Sequence, residues 1–226
     1  VQGKSYPTGS FVVKAAQAFR PHIMDMFEPQ DHPDEFLYEG GPPVPPYDSA
    51  GYTLAFQMGV EFDRILEGFD GPFEKVSGLA KPLAGKVRFM VGASGYLLDH
   101  SVNDSVIAVN RMLAAGNEVY WLDEAIGANG QRYPVGTIYV PASDGVGAAL
   151  TEMALELGIS VDGTATRPNA AARQLSPVRV GLWDRYGGSM PSGWTRWLFE
   201  QFEFPYERVF PQELDDGGLD DKYDAL

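Results

Sequence analysis

Residues 3–13 read GKSYPTGSFVV and residues 130–140 read GQRYPVGTIYV. At an ungapped offset of 130 − 3 = 127, Gly3/Gly130, Tyr6/Tyr133, Pro7/Pro134, Gly9/Gly136 and Val13/Val140 are identical. Ser10/Thr137 and Phe11/Ile138 are close. The register runs on into the next segment, where Ile23, Met26 and Phe27 overlie Leu150, Met153 and Ala154. Spacing of i, i+3, i+4 puts each trio on one face of a helix. The phrase has a physical logic. Pro biases the preceding Tyr to extended geometry, a Gly releases the chain into a β-branched strand, and a helix follows. This repeat predicts an internal duplication in which residues 1–28 are the tail of one α/β unit whose beginning lies upstream of Val1.

A more complete unit occupies residues 86–165. KVRFMV at 86–91 reads as a strand running into Gly92-Ala93-Ser94-Gly95. Residues 103–115 read as a helix with Val106, Val109, Asn110 and Leu113 on one side, stopped by Gly116. EVYWL at 118–122 is a strand, Asn129-Gly130 a tight turn, 137–140 a strand and 147–157 a helix ending at Gly158. Residues 166–177 read as a linker. From 178 to 226 a further unit begins, with a strand at 178–183, a helix at 193–202 and a strand at 206–210; a buried strand starts again at 223–226. The fold class expected is α/β: tandem Rossmann-like or flavodoxin-like units with mainly parallel sheets, truncated at both ends. Strands are predicted near 10–15, 87–92, 118–122, 137–141, 178–183 and 206–210.

Residues 29–85 differ in kind. They are rich in Pro and acidic residues and contain a helical stretch around 52–66. Phe36, Tyr38, Tyr47, Tyr52, Phe56, Phe62, Phe69 and Phe73 carry more aromatic area than linkers do, which predicts an ordered excursion over the domain surface. Across the chain, 44% apolar and 12% aromatic residues suit a packed domain. A formal net charge of −14 argues against a nucleic-acid partner, because phosphate binding needs clustered Lys and Arg. No apolar run is long enough to span a membrane. The absence of cysteine removes disulfides, thiolate metal sites and Cys nucleophiles together.

No catalytic constellation and no metal site is assigned. Of the three histidines, His22 precedes Asp25 by three residues, His32 lies in an acidic loop, and His100 stands alone; no HExxH occurs, and the one HxxE spacing, His32 to Glu35, falls in that loop. The acidic run at 215–221 lacks EF-hand spacing, and no GxSxG elbow is present. Two places can meet a ligand. Ser143, Asp144 and Gly145 stand where a strand passes into a helix, the position for a pyrophosphate, although the third glycine of a dinucleotide loop is replaced by Leu150. Arg185 and Ser189 lie in DRYGGS, leaving the carboxyl end of a strand. In that reading Trp194, Trp197 and Leu198 form the core face of the following helix.

Three long runs, AQAFRPHIMDMFEPQDHP at 16–33, PPYDSAGYTLAFQMGVEFDRILEGFDGPFE at 45–74 and the stretch from 192 to 226, resemble a known family. They are similar to the C-terminal half of large bacterial zinc carboxypeptidase-type metallopeptidases. There a carboxypeptidase A-like domain is followed by a region resembling class I glutamine amidotransferases. The resemblance implies zinc in the parent's catalytic domain and none in this chain. It also implies export to the periplasm or outside, and a partner in the parent's own peptidase domain. The family's HxxE and later His belong to that preceding catalytic domain, so no catalytic residue is carried over to this chain, and amidotransferase chemistry needs a Cys this chain lacks.

The functional expectation is a non-catalytic accessory region of such a peptidase, packing on its catalytic domain or shaping substrate access. An alternative is a module that binds a peptide or small molecule in the crevice at the strand carboxyl ends. A third reading is a hydrolase using Asp144 and Asp184 as paired carboxylates.

Overall fold

The computed structural model describes residues 1, 3–29, 33–45, 53–88 and 91–226. The chain divides into two compact units, Val1–Gly78 and Leu79–Leu226.

In the first unit, α1 (Arg20–Phe27) starts with Pro21 in its first turn, where proline's missing N–H costs nothing. A single turn, α2 (Leu54–Gln57), follows. Ile23, Met26 and Phe27 do share the half-buried side of α1, but no residue of that helix is fully buried. Phe27 meets Phe62 edge-on at 5.2 Å, and Phe56 lies 5.5 Å from Phe62. The Thr53 hydroxyl donates to the Glu28 carbonyl at 2.7 Å, and Arg64 pairs with the Glu28 carboxylate.

Three expectations are corrected here. No strand forms at 10–15: Phe11, Val12 and Val13 are 58%, 44% and 53% exposed. A strand needs partners for its backbone groups, and among the described residues none lies beside this one. The helix expected over 52–66 stops after one turn, because Gly59 takes a left-handed φ of 63°. The aromatics of 29–85 do not anchor it by burial. Phe36, Tyr38, Phe56, Phe69 and Phe73 are all exposed, while Tyr47 and Tyr52 lie outside the described residues.

In the second unit the elements run β1 (Val87–Arg88), β2 (Gly95–Leu98), α3 (Ser105–Ala114), β3 (Val119–Leu122), β4 (Ile126–Ala128), β5 (Gln131–Tyr133), β6 (Ile138–Pro141), α4 (Val146–Leu157), β7 (Val161–Thr164), β8 (Ala172–Leu175), β9 (Val180–Trp183), α5 (Met190–Gln201), β10 (Tyr206–Val209) and α6 (Pro211–Asp216). Six strands form one sheet in the order β1-β7-β2-β6-β3-β8. The architecture is mixed α/β, but the sheet is not mainly parallel. Only β1 pairs parallel with β7; β2 runs antiparallel to both β6 and β7, and β3 antiparallel to β6 and β8.

The cause of that difference is local. The sequence assigns no strand at 95–98, where β2 forms and inserts between β6 and β7. The β4–β5 hairpin folds back at Asn129-Gly130, with φ of 53° and 73° as a type I′ turn demands. β8 forms within 166–177, where a linker was expected. Met90 and Phe89, the centre of the predicted strand at 87–92, lie outside the described residues.

One face of the sheet packs on α3 and α4. Leu98, Ile107, Met112, Val119, Ile138, Val140, Leu150, Met153, Ile159 and Val161 make this core. On the other face Tyr133 of the β4–β5 hairpin packs with Leu97, Leu122 and Tyr139. Residues 82–85 run beside the turn from α4 to β7, and the Gly85 N–H donates to the Ala154 carbonyl at 2.9 Å. A Cβ on Gly85 would sit 1.7 Å from the Ile159 carbonyl oxygen, so only glycine fits.

β9, α5 and β10 form a parallel βαβ piece, extended by a parallel bridge between Val180 and Ala225. Arg111 on α3 ties this piece to the sheet. Its guanidinium donates to Glu203, just beyond α5, at 2.8 Å and to Glu156 on α4 at 2.7 Å. Both carboxylates are held below their usual pKa, primarily by those hydrogen bonds.

Candidate functional site

The β9–α5 loop is built by WDRYGGS. β9 ends at Trp183, and Asp184 turns inward to 3% exposure while its N–H donates to the Val209 carbonyl of β10. The Asp184 Oδ1 accepts the Arg185 N–H at 2.9 Å. Gly187 and Gly188 then take consecutive φ values of 87° and 77°, which side chains with a Cβ resist. The Arg185 Nε donates to the Gly188 carbonyl at 3.0 Å, so the guanidinium is spent partly on closing its own loop. Ser189 caps α5, its hydroxyl accepting the Ser192 N–H at 3.3 Å. Tyr186 stacks on Phe210 at 4.9 Å and 7°. The Ser192 hydroxyl is buried in the first turn of α5 with no hydrogen-bond partner.

The β6–α4 junction is different. The Ser143 carbonyl accepts the Val146 N–H, and the Ser143 hydroxyl reaches the Asn117 Oδ1 only at 3.4 Å. Asp144 is exposed. The N-cap is Gly145, with φ of 83° and no side-chain capping bond, so neither Ser143 nor Asp144 caps α4. The Tyr96 hydroxyl lies 2.6 Å from where a Cβ on Gly147 would stand, crowding the first turn of α4. No hydrogen bond or ion pair among the described residues joins Ser143, Asp144 or Gly145 to Asp184, Arg185 or Ser189.

The sequence reading missed a polar cluster on the hairpin side of the sheet. Asp162, on β7, is buried, and its carboxylate takes the Arg88 guanidinium in a two-pronged grip at 2.6 and 2.8 Å. Tyr133 and Gln131, on β5, donate to its Oδ2 at 2.9 and 3.0 Å. Asn129 donates to Tyr133 at 3.2 Å and to the Gly163 carbonyl at 2.9 Å. Burial pushes the Tyr133 hydroxyl above its usual pKa. With four donors on its two oxygens, this carboxylate ties β1 and β5 to β7 and positions those elements. The signal available was an Asp inside an apolar strand, opposite alternate polar residues on β5.

A polar cavity of about 360 Å³ lies between 124–128 and 164–170, lined by Glu124, Thr164, Thr166, Arg167 and Asn169. Arg167 sits over the Tyr120 ring at 4.9 Å. Among the histidines, His22 is exposed on α1 and His32 lies outside the described residues. His100 packs edge-on against Trp121 at 5.3 Å. No group of three His, Cys, Asp or Glu that would hold a metal occurs among the described residues. No helix there is long and apolar enough to cross a membrane.

α5 brings the main surprise. Trp194, Trp197 and Leu198 do not form its core face: they are 63%, 49% and 47% exposed. Its inward side is instead Ser192, with Thr195, Arg196 and Phe199 half-buried. Met190, Trp194, Trp197 and Leu198 follow i, i+4, i+7, i+8 spacing, so the exposed residues form one stripe. The Trp194 and Trp197 rings touch edge-on at 6.0 Å. No family model, curated protein or solved structure matches the chain.

Proposed function

We propose that this chain is a non-catalytic accessory region of a zinc carboxypeptidase-like metallopeptidase, packing on the peptidase domain or shaping access to it. The observation that carries this reading is the exposed stripe Met190, Trp194, Trp197 and Leu198. Apolar side chains aligned on one helix face mark a surface made to be covered, and Trp is the residue most enriched where partners bind tightly. The sequence runs at 16–33, 45–74 and 192–226 supply the identity of the partner. In this reading zinc belongs to the parent's catalytic domain, the whole is exported, and the chain holds tandem α/β units.

The test uses the parent polypeptide and the 226-residue chain side by side. The parent hydrolyses C-terminal peptide bonds in a zinc-dependent way. Replacing both Trp194 and Trp197 by Ala weakens the contact between the two parts, read as separate rather than joint thermal transitions. Zinc-dependent hydrolysis by the 226-residue chain alone would overturn the proposal.

A second reading, a small-molecule module at the carboxyl end of β9, is favoured by the Ser192 hydroxyl left buried without a partner beside the Asp184–Ser189 loop. A ligand that orders this loop raises the melting temperature of the chain but not that of Ser192→Ala.

A further inference from the structure

The polar cavity of about 360 Å³ beside β4 has the size of the smaller ligand sites, which run from about 300 Å³ upward. Its walls are fastened to the sheet. At the start of the 164–170 wall the Ser94 N–H donates to the Thr164 carbonyl at 2.7 Å, and the Thr164 hydroxyl donates to the Thr166 carbonyl at 3.0 Å. Just past its end the Ala171 carbonyl accepts the Asp123 N–H at 2.8 Å, which also anchors the start of the 124–128 wall. Pro168 stiffens the chain between those anchors. A cavity held in this way is formed before anything enters it.

Its charged groups are unspent. Arg88, Arg111, Arg173 and Arg179 each grip a carboxylate. Arg167 does not: among the described residues its guanidinium makes no hydrogen bond or ion pair, and it rests on the Tyr120 ring at 4.9 Å. That ring is itself held, because the Tyr120 hydroxyl donates to Glu118 at 2.8 Å. Stacking fixes the plane of the guanidinium and leaves its N–H edge free for a carboxylate. On the facing wall Arg173 takes Asp123 at 2.9 Å, and the neighbouring Glu124 is left without a cation among the described residues. Glu124 and Arg167 line the same cavity, yet no salt bridge joins them.

Neutral polar groups stand beside the charges. The Asn169 side-chain amide makes no hydrogen bond among the described residues. In a two-residue hairpin the flanking pair, Ala128 and Gln131, is the hydrogen-bonded one, so the Gly127 N–H and carbonyl point away from β5. Ala125, Ile126, Pro168 and Ala170 supply the apolar part of the lining.

We propose that this cavity binds a free α-amino acid with an aliphatic side chain. The ligand carboxylate takes the Arg167 guanidinium in a two-pronged grip, the ammonium takes Glu124, and the side chain lies on the apolar lining. Glu124 disfavours a plain anion and Arg167 a plain cation, so the pair selects a zwitterion. A neutral molecule would cover both charges and pair neither. The inference stands apart from the proposed function and uses no residue of the α5 stripe or of the β9–α5 loop.

The test is titration calorimetry of the intact chain with L-leucine, with 4-methylpentanoate, which lacks the ammonium, and with 3-methylbutylamine, which lacks the carboxylate. L-leucine is expected to saturate one site below about 10 mM and to bind at least about tenfold more tightly than either analogue. The Gly127 and Asn169 amide resonances shift with the same titration curve. Arg167→Ala and Glu124→Gln change exposed positions with no hydrogen bond to lose, so the melting temperature stays that of the parent chain. Each weakens L-leucine at least about tenfold, and Glu124→Gln leaves 4-methylpentanoate binding no weaker than before. No saturable binding of L-leucine, equal affinity for 4-methylpentanoate, or an affinity unchanged in either variant would each overturn the proposal.

Discussion

The two copies of the Tyr-Pro-x-Gly phrase make the same turn and reach opposite ends. After Gly136 the chain enters β6, and Ile138, Tyr139 and Val140 are 2%, 2% and 1% exposed between two flanking strands. After Gly9 it remains outside regular structure, and Phe11, Val12 and Val13 stay in solvent. The helix that follows is likewise fully packed in one copy, with Leu150 at 0%, and half-buried in the other at Ile23. Local sequence fixes turns, because a proline and a glycine act through their own backbone. A strand is different: neighbours must supply its hydrogen bonds and cover its faces.

The largest test of this contrast is in the helices. Leu150→Ala is expected to cost about 2–5 kcal/mol, since it opens a cavity in a closed core, while Ile23→Ala costs less than about 1 kcal/mol. Urea unfolding of both variants measures the gap; equal losses would mean that α1 is packed as tightly as α4. A smaller separation is expected between the aspartates bonded to Tyr133 and Tyr6, Asp162 and Asp63. Asp162→Asn weakens a buried carboxylate with four donors and costs about 2–3 kcal/mol, whereas Asp63→Asn, on a solvent-screened pair, costs clearly less in the same urea titration.

The smallest effect is in pH. Hydrogen bonds from Lys4 and then Tyr6 hold the Asp63 carboxyl below its usual value of 3.8. A depressed carboxylate stabilises the fold above its unfolded pKa, and that contribution is lost as pH falls through the lowered folded value. The Tyr6 resonances are therefore expected to stay constant down to about pH 4 and to move only below it, and Lys4→Ala brings that movement to higher pH.

Against this background, what the sequence revealed follows a rule. The helices α3, α4 and α5 and the strands β3, β6, β9 and β10 were legible because their apolar spacing and their stopping glycines are local. β2 was not, since GASG before it reads as a loop, and its strand character comes from lying between β6 and β7. The parallel sheet was inferred from alternating strands and helices, a pattern that says nothing of an inserted antiparallel strand. At the candidate sites, sequence identified the loop of Arg185 and Ser189 but not that the arginine closes its own loop. It missed the Asp162 cluster, whose members are scattered from Arg88 to Gly163. The Trp residues of α5 were assigned inward from their apolarity alone, while the space beneath that helix is taken by Ser192, Thr195, Arg196 and Phe199.

Arg111 carries a consequence for how the second unit comes apart. A single guanidinium rivets α3 to α4 and to the residue just past α5, and Asn110 beside it holds the Phe202 carbonyl at 2.7 Å. Among the described residues the βαβ piece shares few other attachments of this kind, so pulling it away strips neighbouring grips from one turn of α3 at once. Loss of those grips is expected to let β9–β10 melt apart from the six-stranded sheet.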